Sequence, residues 1–93
     1  MAEPPPDYAE RSQRILEAAG FEVLPLARRI GDAWDLLGAS PQGLILVGLF
    51  IRRDWPSFAG VNRYRCPSSF PPATRLLGHR WTPDAEWPEV RTL

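Results

Sequence analysis

Between Leu44 and Ile51 nearly every residue is apolar, Phe21-Glu22-Val23-Leu24 alternates strictly, and the residues before them follow a third spacing. Tyr8, Ile15, Leu16 and Ala19 recur at roughly helical intervals. Asp7 precedes them as a good N-cap, with Glu10 three residues on as the reciprocal partner of a capping box. Gly20 stands where a C-terminal cap belongs, so the pattern predicts a helix over 7–19. The alternating segment runs into Pro25 and predicts a strand over 21–25. Residues 26–31 keep neither period, and Arg28-Arg29 read as a surface turn. Residues 34–38 read as a second short strand, and Gly38-Ala39-Ser40-Pro41-Gln42-Gly43 is rich in turn residues. The run over 44–51 is apolar at both parities, the mark of a central strand covered on both faces. The two strands together read as a hairpin.

Asp54-Trp55-Pro56-Ser57 predicts a short helix to about Tyr64, capped by Ser57 or Asp54. Pro67, Pro71 and Pro72 enforce a loop, after which residues 74–81 read as a strand. Residues 87–92 read as one more, confined to a sheet edge by Pro88. The expected fold class is therefore α/β: a small single domain whose mixed sheet is packed by the N-terminal helix. Ile15, Leu16, Val23, Leu36, Ile45, Val47, Leu49, Leu76 and Leu77 form its expected core. Residues 1–6, Met1-Ala2-Glu3-Pro4-Pro5-Pro6, read as a flexible proline-rich arm, which leaves 7–93 as the domain.

Composition narrows the function. Ninety-three residues hold one core, and 44% hydrophobic content is too high for intrinsic disorder. The apolar run over 43–51 is too short to span a bilayer, and an acidic, proline-rich start is unlike a signal peptide. A cytoplasmic protein without a membrane partner is expected. The lone Cys66 excludes an intrachain disulfide and a Cys-rich zinc site. The single His79 excludes His-paired metal motifs and reads as a packed, hydrogen-bonded side chain. All eleven basic residues are Arg, a usage that fits a GC-rich genome and, with eleven Pro, a heat-adapted host. Net charge is zero but unevenly placed: residues 1–43 carry four Arg against seven acids, and residues 44–93 seven Arg against four. That asymmetry reads either as a solvated surface or as a basic half facing phosphates.

One segment carries a resemblance. Asp32-Ala33-Trp34-Asp35-Leu36-Leu37-Gly38, a turn and then the strand at 44–51 resemble the catalytic hairpin of the PD-(D/E)XK nuclease fold, the Holliday-junction-resolvase and restriction-endonuclease-like superfamily. Helix 7–19 followed by Gly20-Phe21-Glu22-Val23 resembles the family's opening helix and its Gly-Phe-x-Val entry to the first strand. Over about residues 8–82, the order helix, three strands, short helix, strand is similar to the family's core order. The resemblance implies Asp35 as first metal ligand, with Glu10 or Glu17 standing in for a helix carboxylate. It also places the family's second acid and lysine on Gly48 and Phe50. In an intact member two carboxylates hold the divalent ion that activates water, and the lysine supports the transition state. The implied protein is a nuclease scaffold without its full chemistry, a nucleic-acid-binding or assembly module and not a competent nuclease, without a cofactor. The alternative is an active endonuclease using Mg or Mn, with Asp54 as the relocated acid. Apart from the resemblance, Asp35 reads equally as a solvent-facing or turn-capping residue.

Arg52, Arg53, Arg63, Arg65, Arg75 and Arg80, interleaved with Trp55, Tyr64 and Trp81, form the candidate nucleic-acid-binding patch. The other reading puts the rings in the core under the Arg stems. Phe50 is expected to be buried where the family holds its lysine. Trp55, Trp81 and Trp87 lie beside prolines or near chain ends and are expected at the surface. Exposed Trp beside Arg has the composition of an interface, so a homodimer through the C-terminal half is expected. A protein-interaction module with no nucleic-acid role is the third reading.

Overall fold

A computed structural model describes residues 8–30, 33–56, 64–83 and 85–93, and of residues 27–30 the backbone alone. The proline-rich arm lies outside these residues. Helix α1 (Tyr8–Ala18) buries Tyr8, Ser12 and Leu16, a stripe repeating every four residues along one face. Its end is a Schellman cap: the Phe21 N–H donates to Leu16 O at 3.1 Å and the Gly20 N–H to Glu17 O at 3.0 Å. Gly20 takes φ +98°, a conformation that costs a residue with a Cβ. Phe21 then packs against the apolar cluster to which Leu16 belongs.

Strands β1 (Glu22–Ile30), β2 (Trp34–Ser40), β3 (Gly43–Ile51), β4 (Arg75–Trp81) and β5 (Glu89–Thr92) form one mixed sheet in chain order. β3 and β4 pair in parallel, and the other neighbours pair antiparallel. Pro25 does not end the first strand. β1 continues to Ile30 because it lies at the sheet edge, where a missing N–H is tolerated, with a register irregularity after Pro25. Arg28-Arg29 accordingly belong to this strand and not to a turn. The β2–β3 hairpin is also tighter than its turn-rich sequence implied: Ser40 pairs with Gly43 and only Pro41-Gln42 intervene. Gly38 is needed for packing instead, since a Cβ there would meet Ile45 Cγ1 at 2.7 Å.

β3 is buried from Ile45 to Phe50 and separates two apolar clusters. On the α1 face lie Tyr8, Leu16, Val23, Leu36, Ile45, Val47, Leu49 and Trp81. On the other face the β3–β4 crossover brings Tyr64, Trp55 and Phe70 over Trp34, Leu46 and Phe50. Ile15, Leu76 and Leu77, expected in the core, are half-buried against these clusters. The helix expected over 54–64 falls largely on residues 57–63, outside those described, and its described ends are not helical. Trp81 corrects the sequence reading: it is fully buried, because it ends β4 beneath α1 with a partner there for its indole N–H. Trp55 is half-buried, and Trp87 is 70% exposed as expected. Among the described residues no helix is long and apolar enough to cross a membrane.

Candidate functional site

Regular pairing between β2 and β3 stops at Leu36 and Val47. Trp34 and Leu36, two residues apart, pack into opposite clusters, so the strand's alternation slips at Asp35. The slip turns the carboxylate toward β3, where Asp35 Oδ2 accepts the Leu49 N–H at 2.8 Å. A side-chain oxygen thus takes the place of a ladder carbonyl. Asp35→Ala should cost about 1–3 kcal/mol, the usual penalty for stranding a buried donor, while Asp35→Asn, which keeps an acceptor oxygen, should cost less. Thermal melts of the two variants decide it, and equal damage from both would contradict the hydrogen-bond role.

The positions that the resemblance assigns to a second acid and a lysine are closed by packing. Gly48 and Gly78 are paired across β3 and β4. A Cβ on Gly48 would stand 2.9 Å from Ala33 O and 3.3 Å from Tyr64 Cε1. One on Gly78 would stand 2.5 Å from Trp55 Cζ3. The two glycines make a floor on which aromatic rings lie. Phe50, 1% exposed as expected, has Tyr64 and Trp55 centred 5.2 Å from its ring and the Arg53 guanidinium 4.8 Å above it.

The other candidate carboxylates are all exposed. Glu10 is exposed on α1 and paired with Arg14, and Glu17 is exposed near the helix end. Asp54 is 93% exposed and held by Arg80. Among the described residues no group of three or more His, Cys, Asp or Glu is placed to hold a metal ion.

The arginines divide between the ends of β4. Arg75 begins the strand and Arg80 stands near its end, beside Arg52 and Arg53. Arg52 adopts φ 56° and donates its N–H to Trp81 O at 3.0 Å. Each nitrogen of the Arg80 guanidinium has a partner: Nε donates to Arg53 O at 3.0 Å, one terminal nitrogen to Asp54 at 2.9 Å and the other to Glu89 at 3.3 Å. Glu89 also accepts the Trp55 indole N–H at 3.1 Å, and Arg91 lies 4.8 Å over that ring. Arg65 is exposed, its carbonyl accepting from Trp34 Nε1, and Arg63 lies outside the described residues. Of the interleaved rings, Tyr64 and Trp81 are buried in the core and Trp55 is half-buried.

Sequence reasoning missed Ser12. Its Oγ accepts the Trp81 indole N–H at 2.8 Å and lies 2.9 Å from His79 Nδ1. The network is satisfied when a neutral imidazole accepts the serine proton at Nδ1. Burial supports that state, lowering the His79 pKa from 6.5 to about 4. A serine against a histidine suggests an activated nucleophile, but Ser12 is 0% exposed and already holds Trp81, so this trio ties α1 to β4. The signal was legible: Ser12 falls midway between Tyr8 and Leu16 on the apolar stripe. Compared with protein-family models, curated proteins and solved structures, the chain matches none.

Proposed function

We propose that this chain is a catalytically silent, nuclease-like protein, with a restriction-endonuclease-like core order, that works as a homodimeric assembly module. The observation that carries the assembly reading is the exposure of two apolar side chains in and just before β5, Trp87 at 70% and Val90 at 53%. A monomeric domain gains nothing from leaving a tryptophan in water, whereas an interface core is rich in such rings. Catalytic silence is supported by Asp35, whose carboxylate serves the β3 backbone, and by Gly48 and Phe50, which are enclosed. A nucleic-acid-binding version receives less support, because Arg80 is neutralised by two carboxylates and Arg75 stands at the far end of its strand.

The test is the mass in solution. Sedimentation should report twice the 10.5 kDa of one chain at concentrations up to about 100 micromolar, above the roughly micromolar range of a modest interface. A single 10.5 kDa species throughout would refute assembly by self-association. Strong, salt-sensitive retention of that monomer on DNA or RNA would instead favour the nucleic-acid version.

A further inference from the structure

β5 is the last strand of the sheet, and all four of its residues are exposed. Its outward-facing backbone groups follow from its pairing with β4. The Leu93 N–H donates to Leu76 O at 2.8 Å, and antiparallel neighbours alternate between pairs that exchange hydrogen bonds and pairs that do not. Glu89 and Arg91 therefore direct their backbone groups to Arg80 and Gly78. Val90 and Thr92 direct theirs away from the sheet. Among the described residues nothing pairs with that edge, and an open edge is a template for another strand.

Resting on the assembly reading above, we infer that the partner is a second copy of this chain, joined by antiparallel pairing of β5 with β5 about a two-fold axis through Val90. Side-chain alternation restricts the choice, because facing residues on antiparallel strands must point to the same side of the sheet. A two-fold axis perpendicular to the sheet then passes midway between one residue and its own copy, so that residue faces itself across the axis that is named for it. An axis through Glu89 sets Glu89 against Glu89, and an axis through Arg91 sets Arg91 against Arg91, so both oppose like charges. Only the axis through Val90 places Glu89 opposite Arg91 of the partner subunit, twice by symmetry.

The backbone agrees with this register. Val90 faces Val90 of the partner subunit as a hydrogen-bonded pair, which its outward N–H and carbonyl require. The Thr92 N–H meets the carbonyl of the partner's Pro88, and only the return bond to the Thr92 carbonyl is lost, because proline has no N–H. Trp55 steadies the charged pair beforehand, since its indole N–H holds Glu89 and Arg91 stacks on its ring. The opposite edge is the poorer site: β1 carries Pro25 and a register irregularity, the features that blunt sheet edges.

Val90→Pro isolates the interface. It removes an N–H that faces outward and leaves the bonds from β5 to β4 in place, so the monomer should keep its far-UV circular dichroism while the dimer is lost at about 100 micromolar. Glu89→Arg and Arg91→Glu, each alone, should weaken the dimer at least tenfold through facing like charges, and mixing the two should restore it as a heterodimer. A dimeric wild type that both single reversals and Val90→Pro leave intact would overturn this register while sparing assembly through another surface. A wild type that stays monomeric would overturn both.

Discussion

Acidification from pH 6.5 to 4 should remove about 3 kcal/mol of stability through His79 alone. The imidazole is buried, and loss of hydration lowers its pKa from 6.5 to about 4. Above pH 6.5 it is neutral in folded and unfolded chains, and the benefit of the buried neutral state is fully present. Below pH 6.5 the unfolded chain binds a proton that the folded chain refuses, so stability falls with pH until the folded pKa is reached near 4. Each unit of difference between the two pKa values is worth about 1.4 kcal/mol, which sets the size of the loss. His79 is the only histidine, so one imidazole resonance reports its titration directly. A folded-state pKa near 6.5, or a stability profile that His79→Gln leaves unchanged between pH 4 and 6.5, would contradict the assignment. Ser12→Ala should act on the same trio from the helix side. It strands the indole N–H of Trp81, which Ser12 accepts at 2.8 Å, and removes the His79 partner.

Introducing an acid at residue 48 should unfold the domain. Gly48→Glu places a Cβ 2.9 Å from the Ala33 carbonyl and an ionised carboxylate in a strand buried on both faces. Overpacking alone costs about 1–3 kcal/mol, and a buried unpaired charge adds several more. A chain of this size has only about 5–14 kcal/mol in total. Gly48→Ala separates the two effects, since it brings the steric clash without the charge and should lower Tm by roughly 5–20 °C. Full stability of Gly48→Glu would show that the site has room for the acid after all.

What the sequence made legible follows from spacing. The apolar run 44–51 identified the central strand because burial on both faces leaves no polar position, and Gly20 identified the helix end because its cap needs φ +98°. Phe50 was readable as buried on the same grounds. The length of β1 was not, because Pro25 stops a central strand but not an edge strand, and position in the sheet is a property of the tertiary fold. Trp81 was misplaced because proximity to the prolines of the chain end suggested exposure, whereas Ser12, sixty-nine positions away, supplies the acceptor that lets it be buried. At the candidate site, residue types alone presented Asp35 as a ligand or a cap. Its bond to Leu49 depends on a slip of strand alternation that no local pattern marks.

The proposed catalytic silence rests on Asp35, whose carboxylate accepts from the β3 backbone, and on Gly48 and Phe50, which packing encloses. Incubating the purified protein with plasmid, branched and single-stranded DNA, in magnesium and separately in manganese, tests it most directly. Every substrate should remain intact in both metals. Cleavage that Asp35→Ala abolishes, in a variant shown to be folded, would contradict it.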